Sequence, residues 1–228
     1  MPKKEKVFQA LLEQKLLPLY YHESAEVSAA ILETLYEAGI RVIEYTNRGE
    51  HALENFRALR RTVDRNLPGM LVGIGTIKSR KQAKKFIEAG ADFIICPSIN
   101  PEVAEVTADE NLLWIPGCMT PTEIATAENA GAGLVKIFPG NILGPAFISA
   151  VRDLFPDLKF MPTGGVEADE ANLRGWFKAG VAGVGMGSKL ISKELVDGKD
   201  YEGLRKATEK ALALVKEVAG QHHVVNLA

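Results

Sequence analysis

The sequence has few of the features that mark secreted, membrane-spanning or disulfide-stabilised proteins. Its cysteines are Cys96 and Cys118, too few for a disulfide framework in a chain of 228 residues. It has no apolar run of transmembrane length, and its first residues lack the apolar segment of a signal peptide. These absences predict a cytoplasmic protein that neither spans nor enters a membrane.

Strong charge of one sign is also missing. The chain carries 27 basic and 29 acidic residues, a formal net charge of -2, without a long run of either sign. This balance argues against a nucleic acid or an anionic membrane surface as a partner. The four histidines show no ligand spacing with the cysteines or carboxylates, so we predict no metal site.

The sequence does contain a regular alternation of short apolar stretches and amphipathic, helix-like stretches. Strict alternation of this kind is typical of a parallel sheet, and eight units in a chain of this length favour closure into a barrel. The predicted strands lie at residues 16–21, 41–46, 70–76, 93–96, 112–116, 134–140, 159–163 and 181–186.

This pattern predicts an α/β fold, a (β/α)8 TIM barrel. An amphipathic stretch at 5–15 adds an extra N-terminal helix before the first strand. We find no linker or low-complexity segment, so we predict one TIM-barrel domain over 1–228, with the barrel at about 16–219. An open, doubly wound sheet is the alternative architecture.

Lys136 stands at the centre of the apolar strand LVKIFPG. Side chains alternate along a strand, so Lys136 shares a face with Leu134 and Phe138. An ammonium among apolar neighbours is poorly solvated, which favours the neutral amine, and a neutral amine is a nucleophile towards ketones. The alternative is a lysine that extends its charge to solvent at the strand end.

Other chemistry-bearing side chains follow the second and third strands, where barrel enzymes place their active sites. Thr76 ends the third strand, and Glu44 and Arg48 lie at the end of the second. A buried carboxylate is costly alone, so Glu44 is either an ion-pair partner of Arg48 or Lys136 or a proton shuttle. Arg48 suits a substrate carboxylate, although an exposed ion pair is the alternative.

Glycines end the seventh and eighth strands, at Thr163-Gly164-Gly165 and at Gly187-Ser188. Glycine lets backbone N–H groups approach an anion, and barrels frequently bind phosphate after these two strands. The pattern therefore predicts a phosphate site, unless the glycines simply make tight turns.

Seven motifs occur in order along residues 16–191. They are EYTNR (44–48), GIGT (73–76), IICP (94–97), IPGCMTPTE (115–123), VKIFPG (135–140), PTGGV (162–166) and GMGS (185–188). Together they resemble the class I 2-keto-3-deoxy-6-phosphogluconate (KDPG) / 4-hydroxy-2-oxoglutarate (KHG) aldolase family. Each motif alone is weak, but their joint order and spacing are specific.

The resemblance implies a role for each matching residue. Lys136 corresponds to the Schiff-base lysine, Glu44 to the proton-transferring glutamate and Arg48 to the arginine at the keto-acid end. Pocket residues around the pyruvyl group correspond to Thr76, Pro97 and Phe138, and the phosphate-binding backbone to Gly164, Gly165, Gly187 and Ser188. Family members are commonly homotrimers and need no cofactor, because the lysine imine replaces a metal.

The implied enzyme is a lyase that cleaves KDPG, a keto-acid sugar phosphate, to pyruvate and glyceraldehyde 3-phosphate, and also takes KHG. The alternatives are an aldolase for the galactonate-derived epimer, a phosphate-binding barrel isomerase or epimerase without a Schiff base, and a ligand-binding barrel without catalysis. One departure affects substrate choice: many relatives carry a basic residue at the end of the first strand, where this chain has Tyr20-Tyr21-His22.

Overall fold

The computed structural model describes the backbone of residues 3–225 and the side chains of residues 3–221. The ends of the predicted 1–228 domain therefore lie outside the described residues. The strands are β1 (Leu16–Tyr20), β2 (Val42–Thr46), β3 (Leu71–Gly75), β4 (Phe93–Ile95), β5 (Leu113–Ile115), β6 (Gly117–Cys118), β7 (Leu134–Ile137), β8 (Lys159–Pro162) and β9 (Val184–Met186). The helices are α1 (Lys3–Gln14), α2 (Ala25–Glu37), α3 (Ala52–Asn66), α4 (Arg80–Glu88), α5 (Pro101–Asp109), α6 (Pro121–Asn129), α7 (Gly140–Val151), α8 (Glu170–Ala179), α9 (Lys193–Asp197) and α10 (Tyr201–Val225).

Side-chain caps set where several helices begin. Ser24 and Ser79 each accept a hydrogen bond from the backbone N–H three residues later, which satisfies one of the free donors in the first helical turn. Thr120 and Glu123 form a reciprocal capping box at the start of α6. These hydroxyl caps end the loops that follow β1, β3 and β6, and so hold the strand ends in place.

The strands form a curled parallel sheet. Six strands pair in the order β5-β4-β3-β2-β1-β9, and three more in the order β6-β7-β8. An isolated parallel bridge between Thr163 and Gly185 links the end of β8 to β9. The predicted α/β fold with a parallel sheet is confirmed at this level.

Pro116 divides the predicted fifth strand, 112–116, into β5 and β6. Proline has no backbone N–H and cannot donate to a sheet ladder, so pairing stops there and resumes at Gly117. The Pro116 carbonyl still accepts a hydrogen bond of 2.8 Å from the N–H of Lys136. Sequence periodicity missed this break because the apolar run continues through it.

Two apolar clusters hold the fold together. The smaller one lies within the curl of the sheet and takes inward side chains from seven of the strands and from α1; it contains Val7, Leu11, Leu17, Val42, Leu71, Phe93, Ile95, Leu113, Ile115, Leu134 and Met161. The larger cluster fills the space between the strands and the surrounding helices. Helix α1 therefore packs against the amino ends of the strands, and the carboxyl ends stay available for chemistry.

One helix is interrupted, and another extends beyond the sequence-based expectation. Helix α7 begins at Gly140 and is interrupted at Gly144, whose φ of 68° lies in the left-handed region. Helix α10 extends to Val225, past the predicted barrel boundary near residue 219. Within residues 3–225, no helix combines the length and the apolar character needed to cross a membrane.

Candidate active site

Lys136 and Glu44 meet inside the curl of the sheet. Lys136 lies on β7 two residues after Leu134, and Glu44 lies on β2 two residues after Val42, so both share the inward face with members of the smaller cluster. Their exposed fractions are 6% and 1%. The Lys136 Nζ atom lies 3.7 Å from Glu44 Oε1. Two residues far apart in sequence thus form one buried ionisable pair.

Strand β3 makes room for this pair by lacking inward side chains. Its inward positions after Leu71 are Gly73 and Gly75. The ring of Phe93 occupies the space next to Gly73, and the carboxyl group of Glu44 occupies the space next to Gly75. A Cβ atom at Gly75 would lie 2.8 Å from Glu44 Cγ and closer still to the carboxyl group. Gly75 is therefore part of the geometry that places Glu44.

The carboxylate of Glu44 is buried without hydrogen bonds. Neither Oε1 nor Oε2 has a hydrogen-bond partner among the described residues, because 3.7 Å from Lys136 Nζ is an ion-pair distance and too long for a hydrogen bond. The ring of Phe138 contributes a second interaction, with its centroid 5.2 Å from Lys136 Nζ. An incompletely paired carboxylate of this kind is available to accept a proton or a hydrogen bond from a bound substrate.

Cys96 directly follows β4 and is buried in the larger apolar cluster. Burial raises the pKa of the Cys96 thiol to about 11, although a hydrogen bond from Trp114 Nε1 and the charge of Lys136 act in the opposite direction. The Trp114 Nε1 to Cys96 Sγ distance is 3.4 Å. Cys96 is thus a neutral, packed thiol and not a second nucleophile.

Three residues of the predicted site, Arg48, Thr76 and Pro97, follow the carboxyl ends of the neighbouring strands β2, β3 and β4. Thr76 directly follows β3 with a φ of 62°, a left-handed conformation that costs a threonine energy and marks a constrained position. Pro97 follows β4 and its carbonyl lies against Gly117. Arg48 follows β2, is exposed, and its side chain has no ion pair among the described residues. The structure therefore does not pair Glu44 with Arg48.

The two glycine-bearing loops are neighbours in space. Gly164 and Gly165 have φ values of 91° and 70°, and a Cβ at Gly165 would lie 2.8 Å from the Cα of Asn141. Gly187-Ser188 follows β9, which the Thr163–Gly185 bridge joins to the end of β8. Thr163 Oγ1 is buried and has no hydrogen-bond partner in the described part of the chain.

Sequence reasoning missed three residues at this end of the sheet. Gly75 was read only as part of a motif, Asn141 lies against the glycine pair, and Lys189 pairs with Glu167 across the two glycine loops at 2.8 Å. The adjacency of Lys189 to Ser188 was a visible signal. Gly75 and Asn141 contact residues that are distant in sequence, Glu44 and Gly165, and a local sequence pattern does not predict such contacts.

A cavity elsewhere in the fold is separate from this site. A cavity of about 720 Å³ lies at the opposite, amino ends of β1, β8 and β9, with Lys15, Arg152, Lys159 and Phe160 among its lining residues, and it contains none of the predicted site residues. Among the described residues, no group of three or more His, Cys, Asp or Glu side chains has the geometry to hold a metal ion. The buried Lys136–Glu44 pair, and not this cavity, therefore marks the candidate site.

Comparison with known proteins gives one consistent family. The family model described as KDPG and KHG aldolase matches residues 7–207. A curated relative, the probable 2-dehydro-3-deoxy-6-phosphogalactonate aldolase of Rhizobium meliloti (strain 1021), is 30% identical over 188 residues, which cover 82% of this chain and 86% of the relative.

Two solved structures have the same fold. A 4-hydroxy-2-oxoglutarate aldolase/2-deydro-3-deoxyphosphogluconate aldolase from TTHB1 is similar with a TM-score of 0.79 and 32% identity, covering 92% of this chain and 98% of that one. The KDPG aldolase of Legionella pneumophila is similar with a TM-score of 0.82 and 25% identity, covering 90% and 97% of the two chains. That enzyme was captured with pyruvate as a covalent carbinolamine intermediate.

Proposed function

Since the chain belongs to the KDPG and KHG aldolase family and is an aldolase, we propose that it cleaves 2-keto-3-deoxy-6-phosphogluconate to pyruvate and glyceraldehyde 3-phosphate. It also accepts 4-hydroxy-2-oxoglutarate in this proposal. The observation that carries the proposal is the buried pair of Lys136 Nζ and Glu44 Oε1, 3.7 Å apart. A nucleophile and a proton acceptor at this distance suit a reaction that needs both on one substrate.

Lys136 begins the reaction by attacking the C2 ketone of the substrate. The amine adds to the carbonyl carbon, and loss of water from the resulting carbinolamine gives a protonated imine. The carbinolamine reported for the Legionella pneumophila relative supports this route. Lys136 is 6% exposed, so the attack takes place at a site from which bulk water is largely excluded.

Glu44 acts next as the proton acceptor. It takes the proton of the C4 hydroxyl as the C3–C4 bond breaks, and the electron pair of that bond moves into the iminium. Glyceraldehyde 3-phosphate leaves as the aldehyde. Protonation of the enamine at C3 and addition of water at C2 release pyruvate and regenerate Lys136, so the water lost in imine formation is returned.

The remaining predicted residues hold the substrate. Arg48 binds the carboxylate, and Thr76, Pro97 and Phe138 surround the pyruvyl group, positions supported by their placement after β2, β3, β4 and β7. The backbones of Gly164, Gly165, Gly187 and Ser188, with Thr163 beside them, bind the distal phosphate. The bridge between the ends of β8 and β9 supports one shared phosphate site.

The experiment that tests this function traps the imine. Incubation with pyruvate and borohydride is expected to add one reduced pyruvyl group to Lys136, read by intact-protein mass spectrometry and peptide mapping. The Lys136→Met variant, with a side chain of similar length, is the control and is expected to take up no label. An unlabelled wild-type protein, or label on another lysine, would overturn the Schiff-base mechanism.

A second substrate has its own support. The 30% identity to the probable 2-dehydro-3-deoxy-6-phosphogalactonate aldolase favours the galactonate-derived epimer as an alternative. The two substrates differ only at C4, where Glu44 acts in our mechanism. Measuring kcat/KM for pyruvate release from both 6-phosphates decides between them, and a tenfold preference for the galactonate epimer would reassign the substrate.

We further propose the complete architecture and setting of the enzyme. The single domain is a closed (β/α)8 barrel with an extra N-terminal helix. Two observations support closure: β5 and β6 are one strand interrupted at Pro116, which joins the two sheets, and the Thr163–Gly185 bridge joins their other ends.

The homotrimeric state, cytoplasmic location and cofactor-free chemistry are carried over from the family resemblance. Light scattering of the purified protein tests the trimer, and full activity after chelator treatment is expected because the iminium is the electron sink.

A further inference from the structure

An ion pair joins the two loops proposed to bind phosphate. Lys189 directly follows Ser188 after β9, and Glu167 lies two residues beyond Gly165 after β8. The Lys189 Nζ atom is 2.8 Å from Glu167 Oε1. The pair therefore spans the neighbouring ends of β8 and β9, which the Thr163–Gly185 bridge connects.

Several backbone N–H groups of these loops have no hydrogen-bond acceptor among the described residues. The N–H groups of Gly165, Ser188 and Lys189 donate no hydrogen bond to other groups within residues 3–225 that meets normal geometry. Free N–H groups on adjacent loops suit an anion. The carboxylate of Glu167, however, would repel a dianion bound there unless a cation lay beside it.

Lys189 is the basic residue in these two loops. Residues 163–169 and 187–191 contain one lysine and no arginine, against Glu167 and Asp169. Asp169 is already engaged, because its side chain accepts a hydrogen bond from Asn172 N and caps α8. The end of β1 offers no lysine or arginine either, and His22 Nδ1 accepts a hydrogen bond from Ser24 N at 3.0 Å.

We propose that Lys189 is a specificity-determining residue that binds the distal phosphate of the substrate, and that Glu167 holds it in place until the phosphate arrives. This inference rests on the proposed function. The two side chains are 61% and 48% exposed, and exposed ion pairs contribute little free energy, so Lys189 exchanges its carboxylate partner for a dianion at small cost. Lys189 thereby takes the role of the basic residue that β1 lacks.

The test compares substrates with and without the 6-phosphate in three variants. Lys189→Met is expected to lower kcat/KM for the phosphorylated acid by about 10- to 100-fold, the loss of one charge-assisted hydrogen bond, with little change for the unphosphorylated acid. Glu167→Gln is expected to keep or increase the phosphate preference, and Lys189→Arg to retain it. Lys206→Met is the matched control, because it removes another exposed pair, with Glu202 at 3.3 Å on α10, outside these two loops.

A binding measurement separates recognition from turnover. Inorganic phosphate is expected to raise the Tm of the wild-type protein and of Lys206→Met more than that of Lys189→Met. A phosphate preference and a Tm shift that both survive in Lys189→Met would overturn the role of Lys189 and leave the aldolase assignment intact. Failure of the wild-type protein to release pyruvate from either acid would instead overturn the proposed function itself.

Discussion

The two ends of the sheet treat buried polar groups in opposite ways. At the amino ends, Gln14 accepts hydrogen bonds from the N–H groups of Arg41 and Val42 and donates to the carbonyls of Leu16 and Val42. Asp92 accepts from Val72 N and Arg60 Nη1 at 2.8 and 2.9 Å. These polar groups tie α1, β1, β2 and β3 together.

At the carboxyl ends, three buried side-chain oxygens lack such partners. Both carboxylate oxygens of Glu44 and the hydroxyl of Thr163 are without hydrogen bonds to the described residues. A protein usually satisfies its buried polar groups, so each exception calls for an explanation. The comparison teaches that the polar groups at the amino ends stabilise the fold, whereas the unpaired oxygens of Glu44 and Thr163 at the carboxyl ends suit the substrate binding that we propose there.

The first prediction has the largest expected effect on turnover and concerns Glu44, at the carboxyl ends of the strands. Glu44→Gln is expected to lower kcat by about 10²- to 10⁴-fold, the range for a positioned acid–base group, while borohydride still traps pyruvate on Lys136. Near-normal turnover would make Glu44 an ion-pair partner alone.

The second prediction concerns Gly75, which leaves the space that Glu44 fills. Gly75→Ala is expected to displace the carboxyl group and lower kcat by about 10- to 10³-fold, a range that overlaps the one for Glu44→Gln, with imine trapping retained. Gly73→Ala is the matched control on the same strand, because its methyl group meets the ring of Phe93 and is expected to lower stability and not kcat.

A double variant with a shorter carboxylate at position 44 tests whether the loss in Gly75→Ala comes from displacement of Glu44. Combining Gly75→Ala with Glu44→Asp shortens the side chain by one methylene and is expected to recover part of the lost turnover. Equal kcat losses in Gly75→Ala and Gly73→Ala would mean that Gly75 has no specific effect on Glu44.

The third prediction addresses the amino ends. Gln14→Met keeps the side-chain length but removes its four hydrogen bonds, leaving two backbone N–H groups without that acceptor. The free energy of unfolding is expected to fall by about 2 to 6 kcal/mol, at about 1 to 3 kcal/mol for each of the two unsatisfied N–H groups. Urea denaturation measures the loss, and kcat/KM is expected to stay unchanged. A large change in kcat/KM would contradict the separation of the two ends.

The smallest effect is expected from the thiol of Cys96. An unfolded thiol ionises near pH 9, whereas burial raises the pKa of the folded Cys96 to about 11. Between these values the unfolded state binds fewer protons, so stability falls as the pH rises. Relative to Cys96→Ala, the wild-type protein is expected to lose about 1 kcal/mol by pH 10. A constant difference between pH 8 and pH 11 would show that the thiol ionises equally in both states.

Much of the fold was predictable from sequence because each strand and helix carries its own signal. The apolar stretches identified β1 to β4 and β7 to β9 within a few residues, and the hydroxyl caps at Ser24, Ser79 and Thr120 marked helix starts. Pro116 escaped prediction because an interrupted strand and a continuous one have the same apolar pattern. The end of α10 escaped because Gly220, a residue type that often ends helices, marks a boundary near residue 219, whereas the helix continues through it to Val225.

The candidate site was predictable in part. Lys136 stood out because a lysine within an apolar strand is unusual, and Glu44 because a carboxylate ended a buried strand. Sequence could not choose between Arg48 and Lys136 as the neighbour of Glu44, and the structure places Lys136 there. That choice depends on which strands curl towards each other.

By itself, the sequence determined the alternation of strands and helices, the position of Lys136 within an apolar strand and the presence of glycine at two strand ends. These properties follow from periodicity, side-chain volume and backbone freedom, all of which act locally along the chain. Only the tertiary structure decided that Glu44 fills the space next to Gly75, that Gln14 closes the amino ends, and that Lys189 meets Glu167. Such contacts depend on the curl and register of strands distant in sequence, which set interatomic distances that no local pattern encodes.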